Sequence, residues 1–225
     1  MTNTITSTAT SFEVRDCALV PISLGIRAQT LRGLADRLGE VPASSVYHHF
    51  WGGLLRPNFD DPEYNNDFAS WAHYALHDGI LAERLAVIDP ADYEEIDDLR
   101  QELVDVIEAR IYETEILLAS KPDQKFEFLK SQIMVFDSEQ HIRRPEELAE
   151  VIPRFTTSSI YYHVIDARRR NPNSRDDFRQ WLSGLNGDYE SVCRDLAQVD
   201  PYFTNLAHLR DELAALFRRH FGGNQ

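Results

Sequence analysis

The feature that most constrains the fold of this chain is an internal repeat. Three sequence blocks recur in the same order: SSVYHH at 44–49 as SSIYYH at 158–163, DFASW at 67–71 as DFRQW at 177–181, and LRQEL at 99–103 as LRDEL at 209–213. The spacing between blocks changes only at loops rich in Asn, Pro and Asp, which is typical of a duplicated structural unit. The blocks predict two copies of one domain, at 12–115 and 122–221, after a disordered tail at 1–11.

Apolar residues recur at helical spacing along both copies. The clearest example is the series Leu99, Leu103 and Ile107, which falls on one face of a helix. Alternation of apolar and polar residues, the signature of a half-buried strand, is scarce by comparison. The sequence therefore predicts an all-α protein built from two tandem copies of a small helical bundle, with five to six helices in each copy.

The charge of the chain restricts its partners. A formal net charge of −14 argues against nucleic acid and against anionic membranes, because both require a concentrated cationic surface. The two cysteines, Cys17 and Cys193, are too few for a disulfide scaffold and indicate a reducing compartment. The chain opens with neither a signal peptide nor an apolar run long enough to span a membrane. We therefore expect a cytoplasmic protein.

One polar set is present in both copies and is the first candidate for a binding site. Its members are Tyr47, His49 and Asp67 in the first copy, and Tyr161, His163 and Asp177 in the second. An Asp that orients an imidazole beside a Tyr hydroxyl would form a polar ligand site. The alternative is a buried His–Asp hydrogen bond that fixes one helix against the next. The spacing matches no nucleophile motif, so we expect no catalytic residues here.

Two further groups of residues are candidate binding residues. Arg168, Arg169 and Arg170 form a basic run in a copy whose charge is far less negative than that of the other, and they are candidates for an anion or an acidic partner. The same run also fits a solvated helix face. Trp51 has no Trp counterpart in the second copy and is a candidate for an exposed aromatic site. Trp71 and Trp181 are repeat-equivalent, which favours a core position.

A metal site is the alternative for the first copy. The His77-Asp78 dipeptide resembles that of the HD phosphohydrolases, which are all-helical and metal-dependent. His49 upstream and Asp97 or Asp98 downstream would complete a set of ligands for a divalent cation. The repeat places Asn186-Gly187 opposite this dipeptide, in a turn. That alignment favours a helix end followed by Gly79 over a metal site.

The order of the repeated blocks resembles a helical bacterial and archaeal domain family of unknown function. The matching blocks are Ser44-Ser45-Val46-Tyr47-His48-His49, Asn66-Asp67-Phe68-Ala69-Ser70-Trp71 and Leu99-Arg100-Gln101-Glu102-Leu103. Some members of that family are associated with glycosyltransferases, so the resemblance implies a link to sugar or polysaccharide metabolism. The second copy departs from the pattern at Asp176 and Tyr162.

These observations predict a non-catalytic protein-interaction or regulatory module that requires no cofactor and whose partner is another protein. The absence of CxxC, HExxH, GxSxG and phosphate-loop motifs supports this prediction. Two alternatives remain at this stage, a metal-dependent phosphohydrolase of the HD type and a small-molecule sensor.

Overall fold

In a computed structural model, the chain is described over residues 11–56, 62–113, 122–185 and 187–222. Most of the expected disordered tail and the last residues of the first copy lie outside these ranges. The described residues fall into two compact units. Unit 1 combines the residues up to Cys17 with those from Val135 onward, and unit 2 is Ala18–Met134.

The all-α prediction is wrong, because the chain also contains two strands of 17 residues each. They are β1 (Phe12–Ala28) and β2 (Phe126–Ile142), and they pair as a two-stranded antiparallel sheet. Strict alternation of apolar and polar residues does occur within 22–28 of β1, but Pro21 precedes it and weakens the strand signal. A proline is tolerated there because a strand of a two-stranded sheet always has one unpaired edge.

The helices of unit 2 belong to the first copy of the repeat. They are α1 (Leu31–Glu40), α2 (Ala43–Trp51), α3 (Asp67–Tyr74), α4 (Gly79–Ala86) and α5 (Ile96–Glu113), with 3₁₀ turns at Gly52–Leu55 and Pro90–Asp92. As expected from the helical spacing, Leu99, Leu103 and Ile107 are buried on one face of α5, which packs against α1.

The helices of unit 1 belong to the second copy. They are α6 (Leu148–Val151), α7 (Thr157–Ile160), α8 (Ala167–Arg170), α9 (Asp177–Ser183), α10 (Glu190–Ala197) and α11 (Leu206–Phe221). A π-helical segment, Tyr161–Asp166, joins α7 to α8. Short 3₁₀ turns lie at Pro145–Glu147, Ile152–Arg154 and Pro172–Ser174.

The first residues of each strand complete the core formed by the helices of the other copy. Phe12, at the start of β1, stacks on Phe178 in unit 1 with a centroid distance of 5.0 Å. Phe126, at the start of β2, stacks on Phe68 in unit 2 at 5.1 Å. All four rings are buried. Burial of an aromatic side chain contributes roughly 1.5–3 kcal/mol, so each strand start stabilises the unit it enters.

The two strands have a residue in the left-handed backbone region at equivalent places. Gly25 in β1 and Glu139 in β2 are repeat-equivalent, and both have positive φ, at 70° and 59°. In each case the backbone N–H donates to a side chain two residues earlier, to Ser23 Oγ and to Asp137 Oδ1. Glycine adopts this conformation without strain, whereas glutamate does not. Both copies therefore have this backbone conformation although the residue differs.

Within the described residues, we find no helix that is both long enough and apolar enough to cross a lipid bilayer.

Candidate functional site

In unit 1, His163 holds the backbone of β1 against the helices. Its Nδ1 lies 2.8 Å from Asp177 Oδ2, and its Nε2 accepts the backbone N–H of Arg15 at 2.9 Å. Ser159, one helical turn earlier, donates its hydroxyl to the carbonyl of the same Arg15 at 2.7 Å. The Ser and His of the repeated block thus bind both polar groups of one strand residue, and a buried peptide group needs such partners.

Unit 2 repeats the arrangement around His49. Its Nδ1 lies 2.8 Å from Asp67 Oδ2, and its Nε2 accepts the backbone N–H of Leu129 in β2 at 3.1 Å. Leu129 is the repeat-equivalent of Arg15. The hydroxyl of Ser45, unlike that of Ser159, is buried without a partner among the described residues. We call the two arrangements the strand clamps.

The hydrogen bonds fix the tautomer of both histidines. Because Nε2 accepts an N–H, the proton of the neutral ring is on Nδ1, which donates to the Asp. Burial is the largest single effect and would raise the pKa of Asp67 and of Asp177. The hydrogen bond from the histidine and the nearby positive charges, including Arg56 and Arg170, together outweigh burial, and both pKa values are lowered. Neither ring nitrogen of His49 or His163 is available to take a proton from a ligand.

The two clamps differ in how much of the carboxylate remains accessible. Asp177 also receives hydrogen bonds from Arg170 and Asn171, at 3.1 and 2.7 Å. Apart from His49, the described partner of Asp67 is Arg56, the repeat-equivalent of Arg170, at 3.5 Å from its second oxygen. Asp67 faces a cleft of about 480 Å³ in unit 2 that is also lined by Ser70. The clamp of unit 2 is therefore the more open of the two.

His48, which the sequence analysis did not select, brings a possible metal ligand to this clamp. Ligand atoms of His48, His49 and Asp67 lie within 4.8 Å of one another. However, a metal on Nδ1 of His49 would move the proton to Nε2, which faces the N–H of Leu129. A metal-bound neutral imidazole carries its proton on the other nitrogen and needs an acceptor there, so the residues do not fit a metal.

Two of the three aromatic members of the candidate set, Trp51 and Tyr161, lie in the core, and Tyr47 is partly exposed. Tyr161 is fully buried, Trp51 is 5% exposed, and Tyr47 packs near Trp51 with ring centroids 6.3 Å apart. Trp71 is 8% exposed and donates its indole N–H to the carbonyl of Gln124 at 2.8 Å. The structure thus brings His49 and Asp67 together and places Trp51 away from solvent.

The basic run in unit 1 is largely neutralised by its own surroundings. Asp166 is buried and binds both Arg169 and Arg170, at 2.6 and 2.7 Å. Arg170 also stacks over the ring of Tyr162, 4.0 Å from its centroid. The side chain of Arg168 has its Nε buried. The run therefore stabilises the end of the π-helical segment, where the charges of Arg169 and Arg170 are already paired.

The residues of the alternative metal site have other partners. His77 lies 2.7 Å from Asp123 on the surface, and Asp78 is buried, where it caps α4 and accepts two hydrogen bonds from Arg110 at 2.9 and 3.1 Å. His49 is bound to Asp67, as described above. The structure does not bring His77 or Asp78 into contact with His49 within the described part of the chain.

Comparisons with known proteins place this fold in a wider group. The model of DUF5752, described as a family of unknown function, matches residues 9–218. Among solved structures, the chain is similar to OrfY from Thermoproteus tenax, with 25% identity and a TM-score of 0.82 over 94% of this chain and 96% of that chain. A search of curated proteins found none that matches.

Proposed function

Because the chain belongs to DUF5752, a family of unknown function, we propose a function from its own geometry: a non-catalytic binding module that contacts another protein. One observation carries the proposal. Both ring nitrogens of His49 and of His163 are occupied by an Asp and by a strand backbone. The polar set that duplication has kept is thus used to position strands, and its histidines are not free for proton transfer.

The surface of β2 supports the choice of a protein as the partner. Within unit 1, the β2 residues Val135 and Phe136 are 45% and 48% exposed, on opposite faces of the strand. Exposed aromatic side chains such as that of Phe136 are enriched at surfaces that bind other proteins. The two cysteines are free thiols, which is consistent with a cytoplasmic partner. We propose that this partner is an enzyme of sugar or polysaccharide metabolism, with glycosyltransferases as the first candidates; the resemblance of the repeated blocks supports this choice.

The experiment is affinity purification of the tagged chain from its native host after chemical cross-linking, with the bound proteins identified by mass spectrometry. We expect one partner in stoichiometric amount, lost in Phe136→Ser. Phe203→Ser is the matched control, because Phe203 is also 48% exposed and also belongs to unit 1. A partner retained equally in both variants would contradict the role of β2. Turnover of a phosphoester that is lost in Asp67→Asn would contradict the non-catalytic proposal.

A further inference from the structure

Unit 1 contains a second cleft that the proposed function does not use. It is formed by residues of α9 and α10, together with Leu185, Gly187 and Tyr189 between these helices. Its volume is about 540 Å³. We call it the arginine cleft, after three of the residues that line it: Arg175, Arg179 and Arg194. Glu190 is the acidic residue among the described lining residues. In a chain with a net charge of −14, a cleft with a positive lining is unusual.

The guanidinium groups of the cleft are only partly occupied. Arg179 pairs with the buried carboxylate of Asp176 through its Nε. Arg175 makes one hydrogen bond, to Ser183 Oγ at 3.3 Å. Arg194 is exposed and has no ion pair or hydrogen bond with any residue that the structure describes. Donors therefore remain for a ligand, and guanidinium groups match the oxygens of a phosphate.

The positive lining is not a requirement of the fold. In the first copy, the residues equivalent to Arg175, Arg179 and Arg194 are Asn65, Ala69 and Glu83. That copy forms the corresponding helices, α3 and α4, without any of the three charges. The arginines are thus a property of the second copy alone, as a binding function acquired by one copy would require.

The cleft also has an apolar wall. Leu182 and Tyr189 line it, and the ring of Tyr189 lies so close over Gly187 that a Cβ there would be 2.5 Å from it. We propose that the arginine cleft binds a small organic phosphate, with the phosphate on the guanidinium groups and the organic part against Leu182 and Tyr189. This site does not include Phe136, so it can be tested independently of the proposed protein partner.

The thiol of Cys193 lines the same cleft and provides a reporter. The other thiol, Cys17, is buried, donates to the carbonyl of Ser158, and has a pKa raised by burial to about 12. Burial also raises the pKa of the Cys193 thiol, so alkylation is measured at pH 9, on the intact full chain. Anionic iodoacetate and neutral iodoacetamide are compared, with the modified residue identified by mass spectrometry.

We expect Arg194→Gln to lower the rate with iodoacetate relative to iodoacetamide by about threefold, the size typical of one partly exposed charge. Arg143→Gln is the control, because it removes an exposed charge of the same unit that lies outside the cleft. An equal effect of both variants, or no effect of Arg194→Gln, would contradict the inference that the arginines make the cleft around Cys193 positive.

The ligand is tested by protection of Cys193 at constant ionic strength. We expect phenyl phosphate to slow alkylation by iodoacetamide at least fivefold at saturation, inorganic phosphate to slow it less, and phenol to have no effect. Equal protection by phenol, or no protection by phenyl phosphate, would overturn the assignment. Phe136→Ser should leave protection unchanged, so this result is distinguishable from failure of the protein-binding proposal.

Discussion

The imidazole of His48 lies directly over Gly52, so closely that a Cβ at position 52 would be 2.7 Å from its Nδ1. The same nitrogen is 2.6 Å from Ser131 Oγ in β2, which keeps the ring in place. In the second copy the equivalent positions hold Tyr162 and Asp166. Glycine at position 52 therefore leaves the space that the imidazole of His48 occupies in the first copy.

Gly52→Ala tests this close contact. Overpacking of a filled core site costs about 1–3 kcal/mol, so we expect the free energy of unfolding in urea to fall by that amount. Gly53→Ala is the control, because a Cβ there meets nothing within 4 Å in the same 3₁₀ turn. Similar unfolding curves for the two variants would show that His48 moves aside without cost.

His163→Ala removes the clamp of unit 1. The N–H of Arg15 loses its partner, whereas Asp177 keeps its hydrogen bonds from Arg170 and Asn171. A buried group left unpaired costs about 1–3 kcal/mol. We expect a lower melting temperature in circular dichroism, and no change in His208→Ala, whose side chain is exposed. A normal melting curve together with lost partner binding would instead favour a role of His163 in recognition.

The pH dependence of stability should reveal His48. Burial and the neighbouring His49 lower the pKa of His48 from 6.5 to about 4. Between these values the unfolded chain binds a proton that the folded chain does not, so stability is lost as the pH falls through this window. We expect this contribution, of order 2–3 kcal/mol, to disappear in His48→Gln. An unchanged slope between pH 6.5 and 4 in that variant would contradict it.

The carboxylates of the clamps contribute at lower pH. Because the pKa of Asp67 and of Asp177 is lowered in the folded chain, their contribution is present above the unfolded value of about 3.9 and is lost below it. The contribution of His48 to stability is therefore lost between pH 6.5 and 4, and that of the two carboxylates at lower pH. Measuring the stability of wild type and of His48→Gln across this whole pH range separates the two contributions.

The metal content of the purified protein distinguishes the proposed binding module from a metal-dependent hydrolase. The N–H of Leu129 occupies the ring nitrogen of His49 that would carry the proton of a metal-bound imidazole, so we expect no stoichiometric manganese, iron or zinc. Elemental analysis of protein purified without chelator is the measurement. Stoichiometric metal that disappears in His49→Ala or in His77→Ala would overturn the prediction.

Phe12, at the start of β1, should contribute as much to the stability of unit 1 as a buried residue in the middle of a helix. Phe12 is buried against His163, Phe178 and Trp181, so Phe12→Ala should cost about 3–5 kcal/mol. Val135→Ala, at a strand residue of the same unit that is 45% exposed, is the control and should change stability little. Unfolding in urea is followed by circular dichroism. Equal unfolding midpoints would indicate that the strand start does not stabilise the core.

The helical part of the fold and the pairing of His with Asp were predictable, whereas the strand clamps were not. Duplicated blocks identify His49 and Asp67 as a set because the set occurs twice. The partner of each imidazole is a backbone N–H, which has no signature in the sequence, and Arg15 lies 148 residues from His163. The alignment of the two copies places Arg56 opposite Arg170 and Gly52 opposite Asp166. A residue-by-residue comparison of the copies could therefore have identified Arg56 and Gly52.

The start of β1 packs on helices of the second copy, and this has a consequence for synthesis on the ribosome. Unit 2 is one continuous segment and has all its residues once Met134 has emerged. Unit 1 requires the residues up to Cys17 together with α11, which ends at Phe221. Because chains grow at about 5–20 residues per second, Phe12 and Val14 must wait roughly 10–40 seconds for their core. During that interval the beginning of β1 is an unburied apolar segment within the reach of chaperones and proteases.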